Sequence, residues 1–396
     1  MSRFFTNISL FALVGILITS IKMPIVDSFP VYRVLFPILA VSIFRKWSVR
    51  GLVKITARTW GGIFVWGLIL SLSYGFNEQN FLSLSWVFSM IVVPYCISYY
   101  MYGTQSRLQI YRSMMLICFI IAISGIYEGY TGRYYHLTLG SYAYTKNIYG
   151  LYRPNTIFYN VNDNAIFMLC CLIFGFLYPS KGKETVYVRI FSVLLYGGNI
   201  LLVDSRGAIL GTIVFFLIAY MHKRTTIERI GLLVLLFIVF LFFIPQIVNS
   251  SFFEMGGRMA IWEKSFSQLQ STSYYGVGPG MIAMVNESHY TGLEVSAVHN
   301  FILELFCDYG ILGLLFLIIW FVGLYTYTHK MRNERQKWVI IGALLAFICA
   351  SITSSSLIGK TFPILFFSII ISEIVRDISH SQTHYKIFDS NNTNLS

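Results

Sequence analysis

Apolar runs of membrane-crossing length recur along the whole chain, each closed by a shorter polar stretch. They lie near 4–21, 31–44, 59–74, 81–99, 110–127, 163–178, 186–203, 207–221, 230–248, 301–327, 338–353 and 361–375. A hydrocarbon layer roughly 30 Å thick takes about 20 apolar residues of helix. A helix can cross it because it satisfies its own backbone polar groups where water is absent. The pattern therefore predicts an all-α polytopic integral membrane protein with about twelve transmembrane helices. The second run is short and contains Arg33. The tenth is long and reads as a short entry helix followed by a span, broken near Gly310 and Gly313. The first follows Arg3 with no small-residue cleavage site and reads as an uncleaved span. No internal repeat is visible.

The runs divide the chain into helices 1–5 over 1–127, a loop over 128–162 and helices 6–9 over 163–248. A large loop over 249–300, helices 10–12 over 301–375 and a polar tail over 376–396 follow. Loops longer than about 15 residues are usually functional or disordered. The 249–300 loop carries Met259, Ile261, Trp262 and Phe266 at helical spacing, so it is expected to be partly helical and to lie on the membrane surface. The tail, ending in Asn-Asn-Thr-Asn-Leu-Ser, is expected to be disordered.

Composition agrees with a lipid solvent. Of 396 residues 56% are hydrophobic and 12% charged, against roughly 25% charged in a soluble domain. Mean hydropathy is +0.67. The six cysteines sit in or beside apolar runs without metal-ligand spacing and read as small apolar filler. The net charge of +12 is topological. With the N-terminus in the cytoplasm, twenty of the 29 Lys and Arg residues fall on cytoplasmic segments, among them the 45–58 loop and Lys330 to Lys337. That is the asymmetry of a membrane protein with both termini inside, and no nucleic-acid partner is needed to explain it. Both long loops then lie outside.

The outer side collects candidate chemistry. Arg153 opens an Arg-Pro-Asn segment that ends at Asn162. Arg206 follows Asp204-Ser205 in a tight turn, Arg258 follows Gly256-Gly257, and His299-Asn300 opens the tenth span. A planar guanidinium matches phosphate oxygens in pairs, so arginines at a wet boundary suit a phosphate. Each also has a plainer reading. An outer Arg can be a snorkelling anchor, and Asp204 can simply neutralise Arg206. Gly276 to Gly280 can be an ordinary turn cluster, since no P-loop Lys-Ser/Thr follows. His299 can be a helix-entry residue. Glu304 and Asp308 can face a cavity or stabilise a helical turn. The plain readings leave unexplained why three Arg and one His meet on one side beside two long loops.

These motifs resemble the O-antigen ligase and O-antigen polymerase superfamily of bacterial polysaccharide-assembly enzymes. The resemblance rests on Arg153-Pro154 to Asn162, on Ser205-Arg206-Gly207-Ala208, on Arg258 with Trp262 and the Gly276–Gly280 cluster, and on His299 to Glu304 with Gly310 and Gly313. It departs at Thr156 and Val161, where the family often has Gly and Pro. It covers about 153–313; the first five spans match only in hydrophobicity.

The resemblance implies a GT-C-like glycosyltransferase in the bacterial cell (inner or plasma) membrane. Its donor would be an undecaprenyl-pyrophosphate-linked oligosaccharide on the outer leaflet, and its acceptor a sugar hydroxyl. Its other partners would be membrane lipids and a chain-length regulator. His299, Arg206 and Arg258 would be catalytic. Arg153, Asn162, Asn300, Glu304 and Trp262 would bind substrate. Arginines can stabilise a departing pyrophosphate without a metal, and the first external loop has no paired acidic motif, so no metal and no cofactor are expected. The favoured activity is polymerisation of repeat units into O-antigen, capsule or exopolysaccharide; the alternative is a ligase moving the finished glycan to another acceptor. A lipid-glycan flippase could also have twelve spans, but flippases are built from repeats with polar residues near mid-membrane.

Overall fold

The computed structural model describes residues 11–18, 22–23, 26–44, 51–133, 146–147, 149–158, 160–179, 182–221, 228, 255–282, 298, 300–351 and 360–392. Helices dominate: α1 (Tyr32–Phe44), α2 (Gly51–Tyr74), α3 (Glu78–Tyr102), α4 (Thr104–Thr131), α5 (Val161–Leu177), α6 (Lys183–Val203), α7 (Arg206–Tyr220), α8 (Met255–Ser271), α9 (Phe301–His329), α10 (Glu334–Ser351) and α11 (Thr361–Asn392). One small departure from the all-helical expectation is an antiparallel pair, β1 (Lys22–Met23) with β2 (Val26–Pro30).

Five of these helices, α2, α3, α4, α6 and α9, are long and apolar enough to cross a membrane. The expected count of twelve is not reached by that measure, and the ninth run, 230–248, lies outside the described residues. Boundaries also move. Lys54 and Arg58, placed by hydropathy in a loop, belong to α2, because a helix can carry charged residues past the hydrocarbon edge. The 376–396 tail does not begin as coil: α11 runs on to Asn392. The helix expected around Trp262 is α8.

The two ends of α4 meet different parts of the chain. Glu128, near the C-terminus of α4, meets the segment preceding α5. Arg107, near its N-terminus, meets Glu373 of α11. Twenty-one residues of helix separate the two ends by about 30 Å. Between them lies an aromatic core. Trp60 of α2 stands edge-on to Trp86 of α3 at 5.8 Å and to Trp320 of α9 at 5.2 Å, and Trp320 reaches Phe367 of α11 at 4.7 Å. Such edge-to-face pairs add to plain area burial. Elsewhere small residues set the approach. A Cβ on Gly211 of α7 would lie 2.7 Å from the Ala346 carbonyl oxygen of α10, the close backbone packing that lets membrane helices associate.

Candidate active site at the Glu128 end of the bundle

The Arg-Pro segment is held from three helices. The fully buried Glu128 carboxylate of α4 accepts the Asn155 and Thr156 backbone N–H groups at 3.1 and 2.8 Å. Asn164 of α5 donates from its side chain to the Pro154 carbonyl and accepts from the Thr156 hydroxyl, both at 3.0 Å. At the end of α6, Asp204 receives Arg153, whose Nη2 lies 3.0 Å from Oδ2 and 3.3 Å from the backbone oxygen. The guanidinium and carboxylate remain 30% and 21% exposed. Glu128 was not legible as a site residue: in the sequence it is one acidic residue at the end of a span, and its partners lie 27 and 28 positions away.

Asp204 takes the left-handed conformation, φ 55°, as the C-cap of the preceding helix. Ser205 is then extended, and Arg206 is the first residue of α7. The turn thus presents the Arg206 side chain, which is exposed, at a helix N-terminus, where backbone N–H groups and the helix dipole favour an anion. Arg153 and Arg206 are brought together through Asp204.

The second half of the site is built around the break in α9. Gly310 has φ 65° and ψ −161°, so the expected interruption is at Gly310 and not at Gly313. The Gly276–Gly280 loop lies against this break. Val277 and Gly278 donate to the Cys307 and Asp308 carbonyls at 2.9 and 3.0 Å, and Ile311 donates to Tyr274 at 2.9 Å. The fully buried Asp308 carboxylate accepts the N–H groups of Gly280 and Ile282 at 2.9 and 3.1 Å. These amides are occupied by the protein's own carboxylate. The glycine cluster is a docking turn, the plainer of its two readings. Backbone crowding explains the glycines: a Cβ at Gly276 would lie 2.6 Å from the Asp308 carbonyl oxygen, and one at Gly310 would lie 2.3 Å from that of Tyr275.

Asn300 caps α9, its side chain accepting from the Ile302 and Leu303 N–H groups at 3.1 Å. Its side-chain oxygen is therefore engaged by the backbone. Glu304, 5% exposed, follows one turn later. Asn162 is the second residue of α5, and its backbone N–H caps onto Asn160. Trp262 of α8 donates from Nε1 to the Val298 carbonyl at 2.8 Å and packs on Ile282, Val298, Leu303 and Cys307. This bond ties α8 to the residue preceding His299. Arg258 is part of α8, four residues before Trp262; its side chain and His299 lie outside the described residues. Among the described residues no group of three His, Cys, Asp or Glu side chains is placed to hold a metal.

The two halves meet through aromatic side chains. Phe158 of the Arg-Pro segment packs on Phe362 at 5.7 Å. Two residues earlier, Lys360 pairs with the fully buried Asp163 of α5 at 3.1 Å. The Trp86 indole donates to the Lys360 carbonyl at 2.7 Å and stands edge-on to Phe301, the first residue of α9. Trp86 thus joins the Arg153 half to the Asn300 half. Nothing in the local sequence around Trp86 or Lys360 marks either as part of this floor.

Residues 191–318 match the family model described as O-Antigen ligase. That segment contains Arg206, Arg258, Trp262, His299, Asn300 and Glu304; Arg153 and Asn162 precede it. The chain is also 22% identical over 364 residues to the teichuronic acid biosynthesis protein TuaE of Bacillus subtilis (strain 168), a match covering 80% of this chain and 73% of that one. These matches support the O-antigen ligase and polymerase superfamily for this chain. Five helices long and apolar enough to cross a membrane agree with a multi-pass membrane protein.

Proposed function

We propose that the chain is a polysaccharide polymerase acting at the outer face of the bacterial cell membrane. Both termini would be cytoplasmic, and the Glu128 end would face outward. The donor is a glycan on undecaprenyl pyrophosphate; the acceptor is a hydroxyl at the non-reducing end of a second lipid-linked repeat unit. The observation that carries this reading is the Arg153–Asp204–Arg206 arrangement at the same end of the bundle as the capped start of α9, within a segment matching the O-antigen ligase family.

The acceptor oxygen forms a bond to the donor's anomeric carbon, and the bond from that carbon to the pyrophosphate oxygen breaks. The pyrophosphate leaves with the electron pair. Arg206 and Arg258 stabilise its growing charge, the role of fixed donors aimed at a departing oxyanion. His299 takes the hydroxyl proton as general base. Arg153 acts first as a positioning residue: it neutralises Asp204 and holds the turn that presents Arg206. Asn300 keeps the start of α9 helical beside His299. No metal takes part, because arginines can meet the charge themselves.

The test uses the purified full-length protein with lipid-linked repeat units. A ladder of products growing by whole repeats is expected. Transfer of a preformed glycan to a different acceptor, with no ladder from repeat units alone, would replace the polymerase reading with the ligase reading that the family model's description also fits.

A further inference from the structure

At the opposite, Arg107, end of the bundle lies a cavity of about 560 Å³. Four arginines line it: Arg107, Arg189, Arg335 and Arg376. Among the described residues, Arg107 alone of the four hydrogen-bonds a carboxylate; Arg189 donates to the Phe176 carbonyl at 3.3 Å and Arg376 to the Thr104 hydroxyl at 3.5 Å. The Arg107 Nε donates to Glu373 Oε1 at 2.7 Å and its Nη2 donates to Oε2. Tyr111 and Gln336 donate to the same carboxylate, so four hydrogen bonds already engage Glu373. Asp377 is the one carboxylate in the lining, and its Oδ2 accepts the Arg332 and Asn333 backbone N–H groups. Arg189 and Arg376 each keep a buried Nε with no hydrogen-bond partner. Burial, and then the neighbouring Arg107 charge, hold the Arg376 guanidinium below its ordinary value.

Two helix N-termini open on the same space. One is that of α6, whose N-cap is Gly182, with no side-chain cap; its third residue, Thr185, is 8% exposed, lines the cavity, and has a hydroxyl without a partner. The other is that of α10, capped by Asn333, with Glu334, Arg335 and Gln336 in its first turn. Helix N-termini attract anions, and guanidinium forks suit tetrahedral phosphate oxygens. Positive-inside topology accounts for basic residues at this end, but it does not require them to converge on a cavity with an orphaned buried hydroxyl. The remaining wall is apolar, formed by Phe176, Leu177, Val186 and Val339.

We propose that this cavity binds a phosphate group, as a lipid phosphomonoester headgroup or as a soluble phosphate. The guanidinium groups of Arg189, Arg335 and Arg376 and the Thr185 hydroxyl hold the oxygens, and the apolar wall accommodates the start of an acyl or isoprenoid chain. The site is separate from the proposed donor site, about 30 Å away along α4.

The experiment measures binding to the full-length protein in detergent at fixed ionic strength, with dioleoyl phosphatidic acid, inorganic phosphate and dioleoyl phosphatidylcholine as probes. Saturable binding of phosphatidic acid is expected, weakened about tenfold or more in the Arg189→Gln/Arg335→Gln double variant and several-fold in Thr185→Val. Phosphatidic acid binding without phosphate binding identifies a lipid headgroup; binding of both identifies phosphate itself. In the unaltered protein either bound probe should slow phenylglyoxal modification of the exposed Arg335, a readout independent of any variant's folding. Equal affinity for phosphatidylcholine, unchanged affinity in the double variant, or no protection of Arg335 overturns the proposal.

Discussion

Arg153 and Asp204 form an ion pair, Nη2 to Oδ2 at 3.0 Å, across 51 positions of sequence. The pair is partly exposed, and such pairs contribute roughly 0–1 kcal/mol to stability. Its importance is geometric, since Asp204 and Ser205 carry Arg206 into the first turn of α7. Arg153→Ala should lower polymer formation by about one to two orders of magnitude with little change in thermal stability. Asp204→Asn, which keeps an acceptor for Arg153, should retain most activity. Turnover assays beside melting curves in detergent check both. Full activity in Arg153→Ala would remove it from the positioning role.

Arg206 is predicted to be indispensable. Arg206→Ala should abolish polymer while the protein still inserts in the membrane, and Arg206→Lys should be only partly tolerated, because an ammonium cannot bind two phosphate oxygens in one plane. Arg258→Ala should behave like Arg206→Ala. Polymer gels and membrane-fraction immunoblots from complemented cells provide the readout. Wild-type polymer from Arg206→Ala cells would exclude Arg206 from the site.

His299→Ala should lower turnover by roughly 10²–10⁴-fold, the usual size of a general-base contribution, with donor binding retained. Protonated imidazole cannot accept the hydroxyl proton, so the wild-type rate should fall on the acid side of a profile spanning about pH 5 to 8. A His299→Gln variant with near-native rate and the same profile would instead assign the residue a hydrogen-bonding role.

The Asp308 carboxylate should matter to folding. Asp308→Ala would strand the Gly280 and Ile282 N–H groups in the interior, costing on the order of 2–4 kcal/mol. Gly310→Ala should also destabilise, through its φ of 65° and contact with Tyr275. Fluorescence-detected size exclusion after heating would show both. An unaltered melting point for Asp308→Ala would contradict the docking role of the glycine turn.

The orientation predicts that a reporter fused after Lys337 reads as cytoplasmic and one inserted within 265–290 reads as external. Reversed readings at both positions would place the Arg153 end on the wrong leaflet and end the polymerase reading.

By itself the sequence determined the solvent, the helical class and the stations of the candidate chemistry. Long apolar runs have one stable form in lipid, and hydropathy reads them directly. A glycine inside such a run marks a break, as Gly310 does. What the linear pattern could not decide was which partner each polar group takes. Asp308, and not a phosphate, fills the glycine turn. Asn300 spends its side-chain oxygen on the start of α9. Glu128 anchors the Arg-Pro segment, and Trp86 joins the two halves of the site. Only the tertiary structure settles these, because a buried polar group must be satisfied by whatever the fold brings within about 3 Å. For Asp204, Asp308 and Trp86 that partner lies 26 to 274 positions away. The convergence of Arg189, Arg335 and Arg376 on one cavity depends on the same long-range packing, which joins the ends of α5, α6, α10 and α11 and leaves no periodic trace in any one of them.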